Sequence, residues 1–163
     1  TELTKQVIDV TRPNVSFEQM TIDVYNSRVY LAGKHTWEPI VLNLREDVNN
    51  NVQKLVGEQL QKQFDFYEQS SAASGQDYKF VTRIEILDGG NGANVPNVLE
   101  TFELYGCYLE SANYNSLAYS NSTDPVSVTL NIRYDNAIQS PQGTGIGTAI
   151  GRTVGTSVTG GGA

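Results

Sequence analysis

The sequence has few of the side chains that carry out chemistry. Its 163 residues include a single histidine, His35, and a single cysteine, Cys107. One cysteine excludes an internal disulfide and a cysteine metal cluster, and one histidine excludes a site with several histidine ligands. His35 could act as a base and Cys107 as a reactive thiol, but the sequence suggests no partner that would activate either. We therefore expect a structural or interface role for His35 and a buried position for Cys107.

Charge is also sparse. Charged residues make up 18% of the chain, and the net charge is −7. An acidic protein of this kind is not expected to grip nucleic acid by its phosphates. No run approaches the roughly 18 apolar residues of a membrane span, so no membrane partner is expected. The length suits one domain with a real core, and the neutral polar surface suits contacts between subunits.

The charges and glycines divide the chain into regions. Every charged residue except Arg152 lies at or before Asp135, and 8 of the 15 glycines follow that position. We interpret residues 1–14 as an N-terminal arm or strand, residues 15–135 as the folded domain and residues 136–163 as a glycine-rich C-terminal arm.

Alternation of apolar and polar residues predicts about six β-strands. Residues 20–25 and 28–33 are β-prone and flank a short polar break, Asn26-Ser27, which predicts a hairpin. Further strands are predicted over 38–45, 78–87, 98–109 and 126–134.

One helix is predicted, over about residues 47–69. Apolar residues recur there at steps of three and four, and Asp47 is a suitable N-terminal cap. The stripe comprises Val48, Val52, Leu55, Val56, Leu60, Phe64 and Tyr67. Strands and helix together predict an α+β fold that is mainly β: an antiparallel sandwich or barrel with one flanking helix.

Two pairs of carboxylates are candidates for metal binding or acid–base chemistry: Glu85 with Asp88, and Glu100 with Glu103. The alternative is a set of solvated side chains on strand faces, which the alternation around Glu85 favours. The loop after Asp88 resembles a calcium loop in composition, but its twelfth position is Leu99 instead of a bidentate glutamate. No catalytic, cofactor-binding or metal site is therefore predicted.

The glycine-rich segment that begins at Gly143 mimics two known motifs. It resembles a phosphate-binding loop, but no strand precedes it. Its glycines at 143, 147, 151 and 155 have the spacing of helix contacts in membranes, although threonines and Arg152 interrupt the segment. A flexible arm, or one that a partner orders, is the interpretation that we favour.

Tyrosine is abundant, with nine residues against five phenylalanines and one tryptophan. Four of them lie close together in the sequence: Tyr105, Tyr108, Tyr114 and Tyr119. Tyrosine combines an apolar body with a polar tip and serves protein interfaces well. Stacking on nucleic-acid bases is the alternative, but no interleaved lysine or arginine accompanies these rings.

Several segments, in order, resemble the tail tube protein family of T-even-type contractile phages, which includes the related baseplate tube-initiator proteins. The resemblance covers about residues 15–135. Its segments are Gly33–Ile40, the acidic turn Arg45–Asp47, the helix that closes with Phe64, Phe66 and Tyr67, the turn Ala73–Gln76, the strand end Ile86–Gly89, Glu103–Tyr108 and Val126–Asp135.

This resemblance implies a non-enzymatic subunit that forms homohexameric rings, which stack into a hollow tube. It also implies that the tail sheath, baseplate and tape-measure proteins are partners, and that phage DNA passes through the lumen without specific binding. The protein would belong to the virion tail and be assembled in the host cytoplasm. We expect the surplus carboxylates to face the lumen, where they would repel DNA phosphates.

Other interpretations remain. The glycine-rich arm is untypical of the main tube subunit and favours a baseplate tube initiator, because those proteins carry extensions. The inner-tube protein of a bacterial contractile injection system would have the same fold. An enzyme or a small-ligand protein is a third class, which behaviour in solution would separate from the other two.

Overall fold

The computed structural model describes residues 2–120 and 123–141. The predicted glycine-rich motif therefore lies outside the described residues. The fold is mainly β, with one long helix and an antiparallel sheet that curls into a half-barrel, as the sequence predicted. In chain order the elements are α1 (Glu2–Lys5), β1 (Val7–Val10), β2 (Val15–Val24), β3 (Ser27–Trp37), β4 (Ile40–Arg45), α2 (Asn51–Gln63), β5 (Phe64–Asp65), β6 (Ser70–Ser71), a 3₁₀ turn (Gly75–Asp77), β7 (Phe80–Leu87), β8 (Val98–Asn113), β9 (Ser127–Arg133) and β10 (Asn136–Ser140).

The main sheet has the order β1-β4-β9-β8-β10, and β7 also pairs with β8. All of its pairings are antiparallel. The long strand β8 organises the sheet, because its first part pairs with β7 and β10 while residues 108–113 pair with β9. Successive pairing of one strand with three others lets the sheet bend without losing backbone hydrogen bonds.

The core lies between this sheet and helix α2. Strand β9 alternates as predicted, with Val128, Leu130 and Ile132 buried. Val52 and Val56 of α2 belong to the same cluster of buried residues. Each such side chain stabilises the fold by about 1.5–3 kcal/mol when it is fully buried. The other members of the cluster are Ile40, Leu44, Leu104, Cys107, Leu109 and Tyr134.

The helix is shorter at both ends than the predicted range 47–69. Asp47 lies in the turn before it, where its carboxylate accepts hydrogen bonds from the backbone N–H and the side-chain amide of Asn51, both at 3.0 Å. Asn50 has a positive φ of 56°, which breaks helical geometry until Asn51. Asp47 therefore supports the N-terminus, as predicted, from outside the helix.

The C-terminal end of the predicted helix is wrong for a local reason. Asp65 accepts hydrogen bonds from the backbone N–H groups of Tyr67 and Glu68, at 3.0 and 3.3 Å. A side chain that bonds to the backbone just beyond it stabilises a turn in place of a helix. The chain folds back so that β5 pairs with β6. Phe66 and Tyr67, which continued the predicted helix, are exposed.

The strand pairing also differs from the predicted division of the chain. Residues 136–140 were predicted to begin the C-terminal arm, but they form β10 and pair with Thr101–Tyr105 of β8. The sheet thus continues five residues beyond the predicted boundary at Asp135. Near the other terminus, β1 pairs with β4 in the same sheet, which agrees with the strand alternative for residues 1–14. The independence of the domain from its two terminal regions stays a prediction.

Candidate assembly surface

The predicted hairpin is confirmed and is longer than expected. Its strands β2 and β3 pair with one another and, among the described residues, with no other strand. The turn falls at Tyr25-Asn26, one residue before the predicted break, and Tyr25 has a positive φ of 49°. Every residue of β2 is exposed. An isolated two-stranded hairpin is marginally stable in water, so this one lacks the packing that would normally support it.

One face of the hairpin is aliphatic. Ile22 lies opposite Val29 and Met20 opposite Leu31 in the strand register. Alternate residues of a strand share a face, so these four side chains and Val24 lie together. Their exposed fractions lie between 44% and 52%. We call these five residues the hairpin face. A contiguous exposed apolar surface of this kind marks a binding site in most proteins that have one.

The opposite face of the hairpin is polar and electrically balanced. Asp23 and Arg28 form an ion pair at 3.1 Å, with more than half of each side chain exposed. Such a pair contributes little to stability. Over residues 15–37 the two carboxylates, Glu18 and Asp23, balance Arg28 and Lys34, so the charge is 2 − 2 = 0 with neutral histidine. Association through the hairpin is therefore not opposed by its net charge.

A row of aromatic rings joins the hairpin to the core. The ring of Phe17 lies 6.0 Å from His35, and His35 lies 6.3 Å from Trp37. Trp37 in turn lies 5.8 Å from the buried ring of Tyr134. Aromatic pairs at these distances add about 0.5–1.5 kcal/mol each beyond the area that they bury. The structure thus places His35 in a packed aromatic row at the base of the hairpin, which fits the predicted structural role.

The loop between β7 and β8 is held by one side chain. The Asp88 carboxylate accepts hydrogen bonds from the backbone N–H groups of Gly90 and Asn97 and from the Asn97 amide, at 3.1, 2.9 and 3.2 Å. The bond from the Asn97 backbone is the largest cause of the lowered pKa of Asp88. These donors occupy the carboxylate, so Asp88 orders the loop instead of forming a site with Glu85. Glu85 pairs with Arg83 at 2.7 Å.

The second carboxylate pair is also separated. Glu100 accepts a hydrogen bond from Gln139 at 2.7 Å, and Glu103 accepts one from the Tyr105 hydroxyl at 2.5 Å. That hydrogen bond is the main cause of the raised pKa of Tyr105. Over residues 2–120 and 123–141, no group of three or more His, Cys, Asp or Glu side chains could hold a metal ion.

The single thiol is buried, as the sequence predicted. Cys107 has no exposed surface, and its sulfur lies 3.3 Å from the carbonyl oxygen of Leu104. Burial raises the pKa of the thiol, which disfavours the reactive thiolate. No helix in the described part of the chain is long and apolar enough to cross a membrane.

The four clustered tyrosines take different positions. Tyr108 packs edge-on against Tyr78, with ring centroids 6.3 Å apart. Tyr114 and Tyr119 are exposed beyond the end of that strand, and Tyr119 is completely so. The feature that sequence reasoning missed is the hairpin face. Its signal was available in the alternation of Met20, Ile22 and Val24, but the predicted barrel was expected to bury those residues.

The fold is similar to those of several solved structures. A chain in the cryo-EM structure of the sheath–tube complex of PVC, an extracellular contractile injection system, matches with a TM-score of 0.60 at 14% identity, over 82% of this chain and 80% of that chain. A chain in the anti-feeding prophage baseplate matches with a TM-score of 0.58 at 13% identity, over 80% and 77%. The crystal structure of the Hcp protein matches with a TM-score of 0.51 at 11% identity, over 82% and 68%.

These matches show that the chain has the tail-tube or Hcp-like fold. At such low identities the likeness extends to the fold alone. No protein-family model matches the sequence, and no curated protein matches it.

Proposed function

We propose that this chain is a non-enzymatic structural subunit of the inner tube of a contractile machine, and that it forms hexameric rings that stack into a hollow conduit. The observation that carries the proposal is the exposed hairpin face on a tube-type fold. Met20, Ile22 and Leu31 have about half of their surface exposed, which is costly for an isolated chain and useful in a polymer.

The sheet supplies a second reason for assembly. Within the described residues the outer edge of β7 has no strand partner, and neither has the outer edge of β1. Open edges are a liability in a monomer, because their backbone groups can pair with any extended chain. In a ring the same edges become bonds between subunits, and a repeated heterologous contact closes when its rotation closes.

The setting of the tube follows from two kinds of support. The ordered segments that resemble the T-even-type tail tube family support a phage virion, assembled in the host cytoplasm, with sheath, baseplate and tape-measure proteins as partners. DNA would then pass through an acidic lumen without specific binding. A basic lumen in a map of the assembled tube would refute that arrangement.

A second candidate is the tube of an injection system. The matched structures come from PVC and from the anti-feeding prophage, which supports this setting. Within either machine, a baseplate tube initiator is the alternative to the main tube subunit. Reconstitution of the chain with the sheath protein of each kind of machine, followed by cosedimentation, would separate these settings.

The proposal is tested by one charge placed on the hairpin face. Ile22→Lys should abolish rings and tubes in negative-stain electron microscopy and leave a folded monomer, because a buried unpaired lysine is costly. Thr21→Lys is the matched control, since Thr21 lies on the opposite face and is exposed. Tubes of normal diameter from Ile22→Lys, or a wild-type chain that stays monomeric at high concentration, would contradict the proposal.

A further inference from the structure

A second exposed apolar surface lies at the end of the β7–β8 pair. Leu87, Val95, Val98 and Leu99 flank or belong to the loop between these strands, and their exposed fractions are 50%, 87%, 48% and 59%. We call these four residues the β7–β8 end. Leu87 and Val98 are direct partners in the strand register. The chain thus has two apolar surfaces that are open to a partner.

The two surfaces belong to opposite ends of the strand order. The hairpin follows β1 and precedes β4, which are the first two strands of the order. Strand β7 pairs with β8, toward the other end of the order. Two different surfaces at separate places on one molecule suit a head-to-tail contact, in which each copy gives one surface and receives the other.

The β7–β8 end is ordered before any partner arrives. Asp88 bonds to Gly90 and Asn97, and the Asp88 N–H donates to the Asn97 carbonyl at 2.9 Å, so the loop is closed on both sides. Gly90 adopts a positive φ of 60°, and an added Cβ there would lie 3.3 Å from Pro96. Preorganisation lowers the entropy that binding must overcome, so a fixed loop makes a better docking surface than a mobile one.

Charge disfavours pairing of two β7–β8 ends. Residues 80–103 carry one cation, Arg83, and four carboxylates, so their charge is 1 − 4 = −3. Two such surfaces would repel one another, since like charges that face each other cost energy. The hairpin, with a charge of zero over residues 15–37, meets no such opposition.

We infer that the hairpin face of one copy docks on the β7–β8 end of a second copy of this chain. The inference rests on the proposed function and deepens it, because it names the two surfaces that join neighbouring subunits. Met20, Ile22 and Leu31 supply the aliphatic surface on one side, and Val98 and Leu99 supply it on the other. Repetition of this contact generates a closed ring or a growing stack.

The test mixes two variants that are each blocked on one surface. Ile22→Lys disables the hairpin face, and Leu99→Glu disables the β7–β8 end. Each variant alone should be a folded monomer by circular dichroism and light scattering. An equimolar mixture should form a one-to-one dimer and nothing larger, because the intact hairpin of the Leu99→Glu copy can dock on the intact end of the Ile22→Lys copy. Native mass spectrometry would read out the composition.

Matched controls place the same charges beside the two surfaces. Thr21→Lys lies on the polar side of the hairpin, and Ala93→Glu lies at an exposed position of the same loop as Val95. Both should assemble like the wild type.

The outcomes separate this inference from the proposed function. Normal assembly of Leu99→Glu, or monomers alone in the mixture, would overturn the head-to-tail contact and leave tube formation standing. Normal assembly of Ile22→Lys would overturn both. Dimers formed by Leu99→Glu without its partner variant would show hairpin-to-hairpin pairing, which also refutes the inference.

Discussion

The side-chain amide of Gln63 bonds to both backbone groups of Leu109. Its oxygen accepts from the Leu109 N–H at 2.8 Å, and its nitrogen donates to the Leu109 carbonyl at 2.9 Å. Pairing of β8 with β7 ends at Cys107, so the amide takes the place that a neighbouring strand would occupy. The last residue of helix α2 thereby satisfies a buried stretch of strand that would otherwise lack partners.

Replacing Gln63 by alanine should destabilise the fold. A buried backbone group without a partner costs about 1–3 kcal/mol, and the substitution removes partners from two such groups. Gln63→Glu keeps the acceptor and loses the donor, so it should fall between the wild type and Gln63→Ala. The free energy of unfolding from urea denaturation, at one protein concentration, measures the effect.

The control for this prediction is Gln53→Ala, at an exposed position of the same helix. It should change the free energy of unfolding by less than about 0.5 kcal/mol. An equal loss in Gln53→Ala and Gln63→Ala would show that helix composition, and not the amide bridge, accounts for the effect.

Gly106 should not tolerate a side chain. It has a positive φ of 67° at an irregularity in the β7–β8 register, and an added Cβ would overlap the Asp135 carboxylate. Gly106→Ala should therefore lower the free energy of unfolding by about 1–3 kcal/mol. The double variant Gly106→Ala with Asp135→Ala should recover part of that loss, because the overlap disappears while the backbone strain remains.

A double-mutant cycle measures this coupling. Asp135→Ala alone loses the ion pair with Lys79, at 2.8 Å, and should cost less than about 1 kcal/mol because the carboxylate is mostly exposed. Strictly additive effects of the two substitutions would contradict the predicted overlap.

Tyr134→Phe should leave stability unchanged or raise it. The Tyr134 hydroxyl is buried without a hydrogen-bond partner, so its removal relieves a desolvation cost. Burial raises the pKa of Tyr134 from 10.0 to about 12. A raised folded-state pKa contributes stability that is complete below the unfolded value and is lost as pH rises from about 10 towards 12.

The tyrosinate absorbance of the folded protein tests this assignment. The wild type should show a late-titrating component near pH 12 that Tyr134→Phe lacks. Its alkaline unfolding should also shift to higher pH. A clear loss of thermal stability in Tyr134→Phe would mean that the hydroxyl has a partner in solution.

Asp88 should make the β7–β8 loop sensitive to acid. Its pKa is lowered from 3.8 by the backbone N–H of Asn97, so its contribution is present above that value and is lost as pH falls through the folded-state pKa. Hydrogen exchange of the Asn97 and Gly90 amides should speed up in Asp88→Ala. Asp88→Asn should remove the acid dependence of this exchange. Unchanged protection in Asp88→Ala would contradict the assigned role.

The sequence predicted most of the strands because each has a clear period. The alternation of Val128, Leu130 and Ile132 is read directly as a buried face, and the break at Asn26 marks the hairpin. The predicted absence of a catalytic or metal site rested on residue counts, and it stays a prediction. Helix ends were less predictable, because Phe64 and Tyr67 keep a helical spacing that Asp65 overrides through local hydrogen bonds.

The candidate site was only partly predictable. Aliphatic alternation at Met20, Ile22 and Val24 looks the same whether the face is buried in its own core or open to a partner. The extent of the C-terminal arm was misjudged because Asn136–Ser140 has no strong strand pattern. Its place in the sheet depends on pairing with Thr101–Tyr105, which lies far away in the sequence.

The sequence by itself determined which residues are apolar at which period, and therefore the mainly β class, the hairpin and the single long helix. The tertiary structure alone decided which apolar faces find a partner within the chain. Strand β9 is buried because β4 and β8 flank it, whereas the hairpin has no third strand to cover it. Burial depends on the three-dimensional neighbours of a side chain, and local periodicity carries no information about them.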